Sequence, residues 1–302
     1  MNATRITGVL LLGLTALAAS APAATLAYEY DAATVAGGDT VWSSTVSPPP
    51  NSLPTRDWDF GSAIPLAAAD PSPATAIDAA VVLDGSTAGG ADHFAAVGTT
   101  VSIEMWIKPD SLDPAGDGAA TTRQQVLIES GGPSGFSLTL WDDTLYGAAK
   151  TGLVGDVRKD DPDIILSYQL SGAEVTDFVQ AVFTIDTSNG QYALYVNPVG
   201  TASPSAAVDS TTSASTSLGG ENPAGLGAAG SRVGGSARDD QGTPWYTGDF
   251  DTYIGQIGLV RIYDDALTGT EVAASYNTII PEPATLGMLA VGGAIGLIRR
   301  RR

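Results

Sequence analysis

The sequence predicts an antiparallel, all-β fold built from two stacked sheets, and three observations point there. Several stretches alternate apolar and polar residues with period two; Gly, Pro, Asp and Asn punctuate them at short intervals; and helical periodicity is almost absent. Ten strands are expected, at 25–30, 79–83, 100–107, 125–129, 135–141, 164–170, 178–185, 191–196, 231–234 and 252–263. So many short strands imply two sheets packed face to face. In "VSIEMWIKP", Val101, Ile103, Met105 and Ile107 share one side and Ser102, Glu104, Trp106 and Lys108 the other, so the first set faces the core. In "GFSLTLW", Phe136, Leu138 and Leu140 take the inner phase and Trp141 the outer. One segment reads as helical: in "TGTEVAASYN", Thr268 and Glu271 stand at capping-box spacing before a short turn over 272–276, expected to close the domain's edge. The Pro-rich "SPPPNSLP" and "DPSPAT" and the Ser/Thr/Gly/Ala-rich stretch 203–230 read as surface excursions. The chain before Ser72 has too few strands for a core of its own, so its "LAYEY" strand is expected to join the main sheets.

Both ends stand apart from the folded region. Arg5, the apolar "GVLLLGLTALAA" and the small residues of "SAPAATLA" form a secretory signal, with Ala23 or Ala27 as the last residue removed; it is assigned to 1–23. The other end reads "PEPATLGMLAVGGAIGLIRRRR". Its apolar run, 284–298, has 15 residues and as a helix covers roughly 22 Å, short of a hydrocarbon core of about 30 Å. Pro281 and Pro283 bar an upstream extension, and Gly287, Gly292, Gly293 and Gly296 weaken the helix. Arginines at 299–302 hold the C-terminus on the cytoplasmic side, leaving everything upstream outside. The domain between spans 24–280.

The chain carries 14 Lys and Arg against 33 Asp and Glu; without Arg5, Glu282 and the arginines at 299–302, 9 face 32, or net −23. So acidic a protein repels phosphate backbones, which disfavours nucleic acid and leaves neutral sugars or divalent cations as more suitable partners. Zero cysteines exclude disulfides, thiolate metal sites and a cysteine nucleophile.

The tail, with Pro281-Glu282-Pro283, a short apolar helix and a terminal basic cluster in order, resembles the PEP-CTERM sorting signal of Gram-negative bacteria. The resemblance implies recognition and processing by an exosortase-type membrane protease, a transient stay in the inner membrane, and a final place at the cell surface or in an exopolysaccharide-rich biofilm matrix. Upstream, "AVVLDGSTAGGADHFAAVGTTVSIEMWIKPDSL", "QQVLIESGGPSGFSLTLWDDTLYG" and "YIGQIGLVRIYDDALTGTEVAASYN" together resemble the LamG-like jelly roll of the concanavalin A-like lectin/glucanase superfamily over 79–277. This implies a jelly-roll β-sandwich. The pattern departs where the family usually has a Trp-His pair, here Asp177 and Phe178, and at its "YvdG" hairpin, here Asn197 and Pro198.

A laminarinase-type hydrolase on this fold would carry E-x-D-x-x-E, but positions 106 and 109 after Glu104 hold Trp and Pro, so no catalytic residue is assigned and a glycoside hydrolase is the lesser alternative. His93, the one histidine, reads as a solvated loop residue. The resemblance suggests a structural calcium near Asp84, Asp249 and Asp251, whose hard oxygens suit that ion; solvated acidic loops are the competing reading. Trp106 beside Glu104, with Trp141 in the same phase, reads either as an outer platform stacking a sugar ring or as a residue that another part of the chain covers. The functional expectation is an exported carbohydrate-binding or structural protein. A hydrolase and a self-assembling scaffold without a small ligand stand as alternatives.

Overall fold

The computed structural model describes residues 23–47, 57–59, 64, 66–68, 75–78, 83–84, 100–110, 123–130, 136–142, 152–157, 164–213, 225–226, 251–253 and 255–280. The strands are β1 (Leu26–Asp31), β2 (Val41–Ser43), β3 (Asp57–Asp59), β4 (Leu66–Ala68), β5 (Thr75–Asp78), β6 (Leu83–Asp84), β7 (Thr100–Pro109), β8 (Arg123–Ser130) and β9 (Phe136–Asp142). There follow β10 (Gly152–Val157), β11 (Ile164–Tyr168), β12 (Val179–Asp186), β13 (Gln191–Pro198), β14 (Asp209–Thr212), β15 (Gly225–Leu226), β16 (Asp251–Thr252) and β17 (Gly255–Tyr263), and then helix α1 (Gly269–Ile279).

Two sheets stack. The first runs β14-β13-β12-β7-β17-β5-β4, with β1 also on β17; the second runs β11-β10-β9-β8-β15-β6, with β16 on β8. Pairing is antiparallel apart from β16 on β8. The period-two reading of β7 sets the register of the core. Val101, Ile103, Met105 and Ile107 share one buried cluster with Phe183 and Ile185 of β12 and with Leu138, Leu140 and Leu153 of the opposite sheet. The first strand joins the main sheet as expected, β1 lying antiparallel to β17 with Tyr30 opposite Val260. In the β2-β3 hairpin Trp42 faces Trp58, both are buried, and the Tyr30 ring lies 5.8 and 5.9 Å from theirs. These aromatics belong to the cluster between the sheets, so the N-terminal segment adds to the main core.

The structure amends several sequence expectations. The stretch 203–230, expected as loop only, contributes β14 and β15, because polar residues such as Asp209–Thr212 pair through their backbones along β13 without an apolar pattern to announce it. β10 was not expected, since Gly152 and Gly155 interrupt its pattern. Gly155 is there for a packing reason: a Cβ on it would stand 2.9 Å from the Phe183 ring across the core. Of the strand expected at 79–83, only Leu83 is described, in β6; 79–82 and the strand expected at 231–234 lie outside the described residues. The helix begins as read: Thr268 Oγ1 accepts from the Glu271 N–H, and Glu271 Oε2 accepts from the Thr268 N–H. It is longer than the expected turn, and it lies across the outer face of the first sheet instead of closing its edge, burying Val272 and Tyr276.

Candidate functional site

The outer face of the first sheet is polar in phase with β7, β12, β13 and β17, and α1 divides it into a sealed part and an open part.

In the sealed part, Trp106 and Glu104 have no exposed surface. The reading of Trp106 as an open sugar platform is therefore corrected. α1 covers it, with the Tyr276 ring stacked at 5.6 Å and 27°, and Phe178 and Leu259 completing the pocket. Such a ring pair contributes about 0.5–1.5 kcal/mol beyond the area it buries. The backbone of Trp141 stands on β9 of the other sheet, opposite Gly152 and Gln124, and its side chain lies outside the described residues.

Glu104 is the hub of this region. Its Oε1 accepts from Trp106 Nε1 at 3.0 Å and Gln180 Nε2 at 2.7 Å, and its Oε2 accepts from the Tyr263 hydroxyl at 2.9 Å. The Ser275 hydroxyl of α1 lies 2.8 and 2.7 Å from the two oxygens, and an Arg261 guanidinium nitrogen lies 3.8 Å from Oε2. Arg261 also donates to Ser275 Oγ at 3.0 Å and, through Nε, to Glu29 of β1 at 2.7 Å. Asn197 of β13 extends the chain of contacts, donating to Gln180 Oε1 at 2.9 Å. A buried carboxylate is tolerable only when its oxygens are occupied and a cation balances it, and both conditions hold. Burial works against the Arg261 charge, but Glu104, Tyr263 and Glu29 outweigh it and leave its pKa raised; burial and Glu104 push the Tyr263 phenol well up. With its oxygens engaged and no solvent contact, Glu104 fastens β1, β7, β12, β17 and α1 together. It is not placed to exchange a proton with a substrate.

The open part is a groove of about 1130 Å³ over β12, β13 and β14, walled by the β17–α1 connection and the first turn of α1. Thr184 and Asp186, Gln191 and Tyr195, and Ser210 and Thr212 come from the three strands, and Asp265, Thr268, Thr270 and Glu271 from the wall. Among the described residues, no Lys, Arg or His lines it. The carboxylates are committed to local structure. Asp186 accepts from Ser188 and Asn189 in the hairpin turn, Asp265 from the Ala266 N–H at 2.8 Å, and Glu271 from Thr268 and the Ala24 N–H. For Asp186 and Glu271 burial raises the pKa, yet these hydrogen bonds outweigh it and leave both lowered, so both are ionised at neutral pH. Tyr195, 8% exposed, has no hydroxyl partner among the described residues, and burial raises its pKa. The sequence reading placed strands here but missed the groove. The available signal was the outer phase Gln191, Ala193, Tyr195 beside a hydroxyl-rich "DSTT".

Of the calcium candidates, Asp84 pairs with Gly225, itself opposite Glu129, and Asp251 pairs with Gln125. Four residues of β8 separate those backbone levels, about 13 Å along the strand, and the two aspartate side chains lie outside the described residues. Asp249, His93 and Pro281, Glu282 and Pro283 lie outside the described residues. Among the described residues no group of three acidic or histidine side chains is arranged to hold a metal ion, and no helix is long and apolar enough to cross a membrane.

The PEP-CTERM protein-sorting motif matches residues 280–302, which marks the chain as exported and surface-sorted and implies exosortase processing. No curated protein matches it. Among solved structures, the chain is similar to domain 4 of AbnA, a GH43 extracellular arabinanase from Geobacillus stearothermophilus, in complex with arabinotriose (15% identity, 83% of this chain and 97% of that one, TM-score 0.43). It is similar to the CBM40 of the Ruminococcus gnavus IT-sialidase bound to alpha2,3 sialyllactose (18% identity, 59% and 82% covered, TM-score 0.37). A third likeness is to the receptor-binding domain of botulinum neurotoxin C/D mosaic serotype (11% identity, 84% and 51% covered, TM-score 0.46).

Proposed function

We propose that this protein is an exported jelly-roll β-sandwich of the cell surface or extracellular matrix that binds neutral polysaccharide in the groove beside α1 and is processed at its C-terminal sorting motif. The carrying observation is the groove's lining: hydroxyls, amides, an unengaged phenol and ionised carboxylates, with no basic side chain among the described residues. Threonine, serine and glutamine side chains and carboxylates match a sugar's hydroxyls as donors and acceptors, and the Tyr195 ring offers an apolar edge with a polar tip. The negative charge disfavours acidic glycans. A hydrolase is the weaker reading, since Glu104 is occupied and sealed.

In this reading residues 1–23 are the signal peptide, 24–280 the domain and 281–302 the sorting segment, whose apolar run 284–298 forms the transient membrane helix. A cut after Ala23 is favoured over one after Ala27, because Ala27 is fully buried in β1 and the Ala24 N–H donates to Glu271 at 3.3 Å. The secreted protein, run on affinity gels containing neutral or acidic polysaccharides, is expected to be retarded by a neutral one. Retardation that survives Tyr195→Ala with Gln191→Ala would place binding elsewhere, and no retardation by any glycan would favour a scaffold role.

A further inference from the structure

The sorting motif begins inside the packed end of the domain. Its first residue, Ile280, is the C-cap of α1, donates its N–H to Tyr276 O at 2.9 Å, and packs with Ile279 against Trp106, Phe178, Leu259 and Tyr276. Only Pro281, Glu282 and Pro283 separate it from the apolar run that starts at Ala284. Four fully extended peptide steps reach at most about 14 Å, and the headgroup layer takes about 5–7 Å of that. No flexible linker lifts the domain clear of the lipid.

At that end the turn after β13 and the last turns of α1 are free of charged residues, while Lys108, Asp110 and Asp177 lie at the neighbouring strand ends. The Tyr276 hydroxyl donates to Pro198 O at 3.0 Å and accepts from the Gly200 N–H at 2.8 Å, which sets the Val199–Gly200 turn beside the end of α1. No charged residue occurs in 198–208 or in 273–280, in a protein of net charge −19. Val199, 36% exposed, lies in that turn. Asp177, near the same end, accepts from the Phe178 N–H at 2.7 Å. An anionic lipid surface repels the acidic body of the domain and tolerates an uncharged, partly apolar edge.

We propose that, until its tail is removed, the domain rests with the edge formed by the Val199–Gly200 turn and the C-terminal end of α1 against the phospholipid headgroups, held there by the three-residue spacer. This rests on the reading of the tail as a membrane segment.

Because the chain lacks cysteine, single labels are unambiguous. The full-length protein is reconstituted into phosphatidylcholine/phosphatidylglycerol vesicles with a fluorophore at Val199→Cys, at Ser188→Cys or at Ala290→Cys. Ser188 is exposed at the far end of the eight-residue β12, about 26 Å away. Headgroup-attached nitroxide lipids are expected to quench Val199 several-fold more than Ser188, while acyl-chain nitroxides quench Ala290. An eight-residue Gly-Ser insertion between Ile280 and Pro281 is expected to bring Val199 to the Ser188 level and leave Ala290 unchanged. If Ala290 is quenched but Val199 matches Ser188, the resting edge is wrong and the membrane tail stands. Quenching of Val199 that survives the insertion overturns the tether. An unquenched Ala290 overturns the tail reading and the inference together.

Discussion

The same strands carry two polar regions with opposite fates. On β12 and β13, Gln180 and Asn197 lie beneath α1 with no more than 1% exposed surface, whereas Asp186 and Gln191, six positions further along each ladder, face the groove. Both pairs occupy the same outer phase. What differs is cover: Gln180 donates to the Val272 carbonyl of α1 and Asn197 to Pro204 O, whereas only the first turn of α1 borders the second pair. Sealed polar groups must find partners within the protein, and the Glu104 cluster supplies them. Open ones are free to partner water or a ligand. An outward polar residue is therefore a structural clamp or a recognition group according to what lies above it.

The contrast breaks most decisively at its hub. Glu104→Ala leaves Trp106, Tyr263 and Gln180 facing a site with no carboxylate and Arg261 with Glu29 as its remaining counter-charge, and a loss of about 3–5 kcal/mol is expected in urea unfolding at neutral pH. A loss below about 1 kcal/mol would mean that water reaches the cluster and that the seal is not a seal. Glycan retention by the folded fraction is expected to persist.

The boundary between the regions is the start of α1. A Cβ at Gly269 would lie 2.2 Å from the Ser205 carbonyl oxygen, a backbone atom that cannot swing aside. Gly269→Ala is therefore expected to cost about 1–3 kcal/mol despite alanine's better helix propensity. A stabilised variant would show that the loop and helix are not in close contact.

Thr268→Ala removes the cap and is expected to cost about 1 kcal/mol. It also bears on pH dependence. The folded pKa of Glu271 lies below its ordinary value, because the Thr268 and Ala24 bonds outweigh the burial that raises it. Its contribution is thus present above the ordinary glutamate value and is lost as pH falls through the lower, folded one. In Thr268→Ala the acid-side loss of stability is expected to be shallower than in the parent protein, measured as the urea midpoint between pH 6 and pH 3. An unchanged profile would assign the acid sensitivity elsewhere, with Asp186 the next candidate.

Tyr195→Phe makes the smallest change. The hydroxyl has no partner among the described residues, so stability is expected to move by less than about 0.5 kcal/mol while retention on neutral polysaccharide falls. Lost stability with intact retention would move Tyr195 to the structural side of the comparison.

Several features were legible in the sequence because they are local. Alternation in "VSIEMWIKP" identified which four residues of β7 face the core, since the pleat allows two faces only. Thr268 and Glu271 announced the helix start because a capping box is made within four residues. The Pro-Glu-Pro, apolar and basic order announced the sorting motif for the same reason. The missed strands β10 and β14 were ones whose own residues carry no apolar/polar alternation, even where, as in β10, the partners are adjacent in the chain. Gly155 weakens its strand pattern in order to admit Phe183 from the other sheet, and Asp209–Thr212 is a strand through its neighbour's backbone alone.

The sequence by itself determined which residues lie on the outer face of the first sheet, Glu104 and Trp106 among them, because period two is a property of the backbone. Only the tertiary structure decided that Trp106 is sealed beneath α1, whereas Tyr195, packed with Val182, Leu267 and Val272, keeps an edge on the groove. That depends on where α1 comes to rest, and its resting place is set by contacts between residues far apart in the chain, such as Glu104 with Ser275 and Tyr276 with Pro198.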